Sequence, residues 1–500
     1  MNNTYPVRTN KSIPWAIGVI LLYSVINIIL LLHHEPWGDE AQAWLLARDL
    51  DVTSLFKQVA YEGTPALWHM LLVPFAKTGM PYISEFILNL AIAIAAVSIF
   101  IWYAPFSKVT KTLFVFSYYM VYEYAIIARS YSLSVLLLFS IAAFYHNRFK
   151  RPLLYSLMVF LLFNTNVHSF FIASSLTLLF TWELYRESVQ GNMAKTAVLV
   201  MFTGGLVSFL QLLTPPDCNI CGIFSTKVYF APFVAIANTF FPWLTAFIKN
   251  RELQLFLIAA SFLIFFLTII AVIRKPAVLF IFLVSLGGLF YIFVFKKPGS
   301  INHHGLILII LLFGLWIGNN YSESHKIYLK IISQYNINLR KISMVLINIS
   351  LALSLLYAVK VQYLEYRYAF SGAKEMADII KRNNLTHYTI VAHKSTHTPA
   401  LLPYLPGEKF WYATFEDYGT FNKYNKRYRE EKDIPNAEVI ARMKKAFPDS
   451  SQTLLLLTAP LHSPGSYGFT LLFKVDKVFG YNREKFYLYK SIGGNDTYQE

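Results

Sequence analysis

The feature that most constrains this chain is a succession of apolar runs between residues 13 and 360, most of them near the length that crosses a bilayer. A helix needs about 20 largely apolar residues to cover the hydrocarbon core. Candidate runs lie near 13–32, 82–104, 112–125, 131–146, 153–168, 170–185, 197–213, 253–273, 277–295, 304–319 and 342–360. A lipid-facing backbone must satisfy its own polar groups, so runs of this length read as helices. The expected fold class is an α-helical polytopic membrane protein with about eleven spans. The first run, Ile13 to Leu32, is followed by no small-residue cleavage site and reads as a retained span.

Composition agrees. Apolar residues make up 56% of the chain and charged residues 14%, against about 25% charged in a soluble domain. Charges are sparse up to residue 360 and dense from 361 onward, which predicts a membrane domain over 1–360 and a C-terminal α/β domain over 361–500. The net charge of +16 does not indicate nucleic acid, because the basic residues sit in short clusters between apolar runs rather than in one stripe. Positive-inside loops and anionic lipids account for them.

Those clusters orient the chain. With Arg8 and Lys11 cytoplasmic, and with 231–248 not crossing, the inner loops carry Lys108/Lys111, Arg148/Lys150/Arg151, Arg186/Lys195, Arg274/Lys275 and Lys326/Lys330/Arg340/Lys341. The 231–248 run, broken by Pro232, Asn238 and Pro242, then reads as an interfacial helix on the outer surface. The region after 360 falls outside as well. Within it, Lys374–Lys381 and Ala437–Phe447 read as helices, and 388–392, 453–457, 469–475 and 486–489 as strands.

In this topology the outer segments are the candidates for chemistry. The first outer loop, His33 to Met80, opens with Glu35, Asp39 and Glu40 at the end of a span. Carboxylates there are costly unless paired or solvated. They suit a general base, a divalent metal site, or simply the acidic first turn of an amphipathic helix over 41–49 lying along the membrane surface. A second segment, 122–131, places Glu123 and Arg129 near another outer helix end. A guanidinium fork there suits a phosphate, and a structural ion pair is the alternative. A third, 296–305, sets Lys296 and Lys297 against the positive-inside trend, just before His303 and His304. An anionic headgroup at a helix N-terminus, or snorkelling lysines, would explain it. His168, near another outer helix end, either joins the same cavity or, as a lone histidine is more often, is structural; Cys218 with Cys221 reads as a short disulfide or two thiols without a catalytic role.

Four stretches carry a family resemblance: WGDEAQAWLLARDL at 37–50, EGTPALWHMLL at 62–72, YEYAIIARSYSLSVLLLF at 122–139 and HHGLILIILLFGLW at 303–316. They resemble the polyprenyl-phosphate-sugar-dependent membrane glycosyltransferases of the GT-C fold, in the group of protein O-mannosyltransferases, aminoarabinose transferases and rhizobial core transferases. The resemblance implies a bacterial cytoplasmic membrane enzyme of glycan biosynthesis in the cell envelope, with the C-terminal domain extracytoplasmic. It implies Asp39, with its neighbour Glu40, as the catalytic acidic pair. It implies Arg129, Lys296, His303 and His304 at the donor phosphate, and Glu62, Glu123 and Tyr131 among the substrate-binding residues. Where many relatives carry His-Pro, this chain has Thr64-Pro65, so the role of 62–69 differs or falls to His69.

The expected reaction is hexosyl or pentosyl transfer from a polyprenyl-phosphate donor to a lipid, glycan or protein acceptor, with Asp39 as base. The partners expected are that donor, membrane lipids and the acceptor, and no nucleic acid; no cofactor is required beyond a possible divalent metal. The alternatives are a polymerase using a lipid-pyrophosphate donor, a scaffold, and a transporter or flippase of lipid-linked saccharides. A transporter would place ionisable groups at the bilayer midplane and show repeats.

Overall fold

The computed structural model describes residues 13–187, 191–218, 228–242, 244, 248–324, 338–426, 434–480 and 483–492. Arg8, Lys11, Cys221, Lys326 and Lys330 lie outside the described residues. The chain divides into two compact units. The first comprises 1–29, 88–212 and 224–361, and the second 30–87, 213–223 and 362–500. The segment after the first span therefore belongs with the C-terminal region, and no single cut near 360 separates the two.

The helices in chain order are α1 (Ile13–His33), α2 (Gly38–Asp49), α3 (Val52–Glu62), α4 (Leu67–Lys77), α5 (Ile83–Tyr103), α6 (Lys108–Val115), α7 (Tyr131–Phe144), α8 (Pro152–Phe163), α9 (Val167–Arg186), α10 (Asn192–Gln211), α11 (Ala231–Phe240), α12 (Arg251–Ile270), α13 (Pro276–Phe295), α14 (Ile301–Ile317), α15 (Leu339–Arg367), α16 (Ala373–Arg382) and α17 (Asn436–Ala446). Among the described residues, 8 helices are long and apolar enough to cross a membrane: α1, α5, α9, α10, α12, α13, α14 with its short 3-10 extension, and α15. Shorter apolar helices cover Tyr131–Asn147, Pro152–Phe163 and Ala231–Phe240. The protein is a multi-pass membrane protein.

Two expectations fail in the first unit. The 112–125 run is not one helix: α6 stops at Val115, and a π-helical turn spans Tyr119–Glu123. Irregular backbone survives inside a bundle only when side chains take up its polar groups. Here Tyr23 Oη donates to the Met120 carbonyl at 2.6 Å, Ser354 Oγ accepts from the Tyr118 N–H at 3.1 Å, and Asn89 Nδ2 donates to the Tyr124 and Ala125 carbonyls at 3.2 and 3.0 Å. The second failure is the interfacial helix. α11 packs against α12, α13 and α14, and residues 235–240 are buried. Polar bonding explains the inward placement, because Asn238 and Thr239 bond to α14 and to the π-turn.

The centre of the first unit is α14, with 94% of its apolar window buried, whereas α1, α10 and α12 bury 28% each. Small residues make this possible. A Cβ on Gly305 would stand 2.4 Å from the Tyr119 ring and 2.5 Å from Tyr124 Oη, so those rings lie directly on the helix backbone.

In the second unit, six strands form one sheet: β1 (Thr389–Ala392), β2 (Phe410–Tyr412), β3 (Asp417–Gly419), β4 (Thr453–Leu457), β5 (Phe469–Val475) and β6 (Phe486–Ser491). The order is β3-β2-β1-β4-β6-β5. β1 runs parallel to β2 and β4, with Val391 opposite Trp411 and Leu455, and the remaining pairs are antiparallel. β4 reads TLLLL and is buried throughout, as a central strand covered on both faces should be. Val439, Ile440 and Met443 of α17 pack into the core with Val391, Leu455 and Tyr489. α16 buries Ala373, Met376, Ala377 and Ile380, a helical stripe with spacing three, four and seven.

α2 also departs from expectation. It does not lie amphipathic along a surface; residues 40–47 are all buried. It packs on α4 and on the 3-10 helix Thr398–Tyr404 of the C-terminal region. Arg48 Nη1 donates to the Leu402 carbonyl at 3.3 Å, and Gln42 exchanges hydrogen bonds of 2.8 and 2.9 Å with the Asn422 backbone. The buried polar side chains Glu40 and Gln42 are tolerated because each is hydrogen-bonded.

Candidate functional site

The three opening carboxylates have three different environments. Glu40, fully buried, accepts from the Trp37 N–H at 3.1 Å and caps α2. Its oxygens also lie 3.2 and 3.3 Å from His34 Nε2, while His34 Nδ1 lies 2.8 Å from Glu365 at the end of α15. Burial alone would lower the His34 pKa, but Glu40 and Glu365 outweigh it and raise it to about 10. His34 is therefore an imidazolium clasped between two carboxylates. Glu35 is pushed up to about 7, first by burial, with Lys374 opposing. Asp39 is half-buried in the first turn of α2, where the helix N-terminus favours a carboxylate. Glu40 thus holds the helix start in place, and the expected acidic pair divides into one structural and one reactive candidate.

Two further carboxylates border this site and were not singled out from sequence. Glu484 accepts from the Gly38 N–H at 3.0 Å and from Ser371 Oγ at 2.8 Å. Burial lifts it to about 8 against those two hydrogen bonds, and Asp39 and Glu40 push the same way. Glu85, in the first turn of α5, is fully buried, and its neighbouring donor is the Trp68 indole N–H, outside hydrogen-bond geometry. Tyr82, Phe86, Trp44 and Tyr404 form the aromatic packing around these groups.

Glu62 is held rather than presented. Gln42 Nε2 donates to it at 2.8 Å, and His69 Nε2 lies 3.6 Å away. His69 and Glu62 thus form a pair on the 62–69 segment, where this chain carries Thr64. Cys218 is buried, with its thiol 3.6 Å from the Tyr61 carbonyl. No group of three or more His, Cys, Asp or Glu among the described residues is arranged to hold a metal ion.

In the first unit, cations and aromatic rings from separate segments converge. The His168 and His303 rings are 4.3 Å apart, Tyr131 meets His303 edge-on at 5.5 Å, and Arg129 lies over the Tyr131 ring at 5.5 Å. Arg129 and Lys297 both lie within electrostatic range of His168 and His303. His168 thus stands in the same cluster, the first of the two placements its position at an outer helix end allows. Both lysines are exposed at the end of α13, and Lys297 is the one whose charge acts on these rings.

Partners assign the histidine tautomers. His303 Nδ1 accepts from the Ser300 N–H at 2.8 Å, which leaves Nε2 as the N–H donor. His304 Nδ1 faces Asn238 Nδ2 at 3.2 Å, its Nε2 faces the Pro298 carbonyl at 3.4 Å, and its carbonyl accepts from Thr239. Nδ1 of His304 therefore ties α14 to α11, while Nε2 faces the loop that leads into α14. Glu123 is also committed internally, since Tyr118 Oη donates to it at 2.7 Å.

A scan against protein-family models finds no match, and searches of curated proteins and of solved structures find none either.

Proposed function

We propose that this protein is a membrane glycosyltransferase of the GT-C type, which moves a sugar from a polyprenyl-phosphate donor to a hydroxyl-bearing acceptor. The observation that carries the reading is the division of labour at the start of α2. Glu40 is locked by a helix cap and by His34, while Asp39 beside it stays half-exposed. Asp39 acts as the general base that takes the acceptor's proton. The Arg129, Lys297 and His303 cluster supports the other half of the reading. Two cations and an imidazole N–H, set among aromatic rings, suit a phosphate on an apolar lipid. The phosphate leaves as a stable anion and needs no acid. The reading places the protein in a bacterial cytoplasmic membrane with residues 362–500 on the extracytoplasmic side.

Mass spectrometry of lipid-linked and surface glycans tests it, in cells carrying the wild type, the Asp39→Ala variant, or no copy. The expected result is that one glycan loses a sugar in both deficient strains. Loss of that sugar by a factor of about 10² or more is what removal of a positioned base produces. A glycan profile restored by Asp39→Ala sinks the mechanism.

A further inference from the structure

The inference concerns the loop after β1 and rests on the reading of Asp39 as base. β1 has parallel partners on both sides: the chain leaves it toward β2 and β3 and returns to β4 on the opposite flank. In α/β sheets, ligands bind beyond the carboxyl ends of strands at such a switch point. Past β1, Lys394 takes a φ of 68°, in the left-handed region that a long side chain seldom enters. Its carbonyl accepts from the N–H groups of His397 and Thr398 at 3.0 and 3.1 Å. This turn lays Thr396 on the start of α2, where a Cβ on Gly38 would stand 2.5 Å from the Thr396 carbonyl oxygen. The residues that follow the two sides of this contact are Asp39 and His397.

Two polar atoms on this loop, Ser395 Oγ and His397 Nδ1, are buried with no hydrogen-bond partner. Ser395 is 1% exposed. Buried unsatisfied polar atoms are few in a native fold, and each one needs a reason. A hydroxyl-bearing acceptor at the Asp39 site would supply one.

We propose that His397 is a positioning residue for Asp39, steering its carboxylate to the acceptor and sharing the proton that it takes. In the step, the acceptor O–H bond breaks and its oxygen bonds to the anomeric carbon. The bond from that carbon to the phosphate oxygen breaks, and its electron pair leaves with the phosphate. The proton rests on the Asp39–His397 pair until water removes it. The charged groups acting on His397 are Lys394 on its own loop and Asp39 on α2. Burial and Lys394 lower its pKa below the ordinary imidazole value and Asp39 raises it, so the ring is neutral and able to share a proton at neutral pH.

Two measurements on the full chain in lipid nanodiscs test this. In the first, NMR of isotope-labelled histidine follows the His397 titration, assigned by its loss in His397→Gln. Asp39→Asn should lower the midpoint by about one unit, the effect of losing a nearby opposite charge. An unchanged midpoint overturns the proposal, whatever the reaction is. In the second, release of polyprenyl phosphate is followed from a panel of synthetic polyprenyl-phosphate hexoses, with a cell-envelope glycan extract as acceptor. His397→Gln should reduce kcat at least about tenfold, short of the 10²–10⁴ lost with the base itself. The donor KM should hold, and the acid limb of the pH profile should move to lower pH because one proton-binding group is gone. A His397→Gln profile identical to wild type, with Asp39→Ala inactive, overturns the inference alone. An active Asp39→Ala overturns the underlying reading and the inference with it. If no donor in the panel turns over, the NMR titration decides.

Discussion

Two buried charged regions can be set side by side. In the first unit, Arg148 Nε and Nη2 donate to one Glu183 oxygen at 3.1 and 3.0 Å, and Tyr321 Oη donates to the other at 2.7 Å. Tyr145 Oη bonds Tyr321 Oη at 2.6 Å, and the guanidinium lies over the rings of Tyr145 and Phe149. Both oxygens of that carboxylate are satisfied. In the second unit, by contrast, both oxygens of Glu85, one oxygen of Glu35, Ser395 Oγ and His397 Nδ1 are buried outside hydrogen-bond geometry. Burying such groups unsatisfied costs free energy that the fold recovers elsewhere. The contrast separates a carboxylate whose every oxygen is bonded, tying α9 to its neighbours, from a set of buried polar atoms that the fold leaves unbonded.

The comparison can be broken in several ways. Breaking the satisfied network should cost most: Arg148→Met strands Glu183 and should lower stability by about 3–5 kcal/mol. Denaturation in detergent checks this, and a loss under 1 kcal/mol would mean that the network is not structural. The incomplete network should respond in the opposite direction. Glu85→Met removes two unsatisfied buried oxygens and should raise stability by about 1–3 kcal/mol. A destabilised variant would show that the Trp68 indole N–H bonds Glu85 in the folded protein.

Glu484 sharpens the comparison through pH. Its folded pKa, about 8, lies above the ordinary 4.5, so between these values the folded state holds the extra proton. Its stabilising contribution is complete below 4.5 and is lost as pH rises through 8. Thermal unfolding of the wild type should therefore fall through this window, by at most about 1.4 kcal/mol per pH unit from this group. Glu484→Gln should flatten that decline. Parallel pH curves for the two proteins would refute it. The smallest effect belongs to Lys296, exposed at the end of α13. Lys296→Ala should change stability by no more than about 0.5 kcal/mol; under the proposed transferase reading it should also leave the donor KM untouched, whereas Lys297→Ala should raise it.

Much of the fold was legible because it follows from local periodicity and run length. The long spans declare themselves by hydropathy. Strands Thr389–Ala392, Thr453–Leu457, Phe469–Val475 and Phe486–Ser491 fall where alternating or continuous apolar runs predict them. The short β2 and β3 were missed because three residues carry no period. The break at Tyr119–Glu123 was missed because its cause is remote: the side chains that satisfy it come from Asn89 on α5 and Ser354 on α15.

The sequence by itself determined that the chain must live in a membrane, that a charged α/β region ends it, and that Asp39 stands at a helix start after the first span. Those properties depend on residues adjacent along the chain. Only the tertiary structure decided that Glu40 is consumed by His34 while Asp39 is not buried with it, and that Lys297 rather than Lys296 acts on His168 and His303. It also decided that His397 and Glu484, more than 350 and 440 positions away, stand beside the first turn of α2. The physical reason is that burial and charge pairing are set by neighbours in space, and a single sequence does not encode which distant residue will supply the partner.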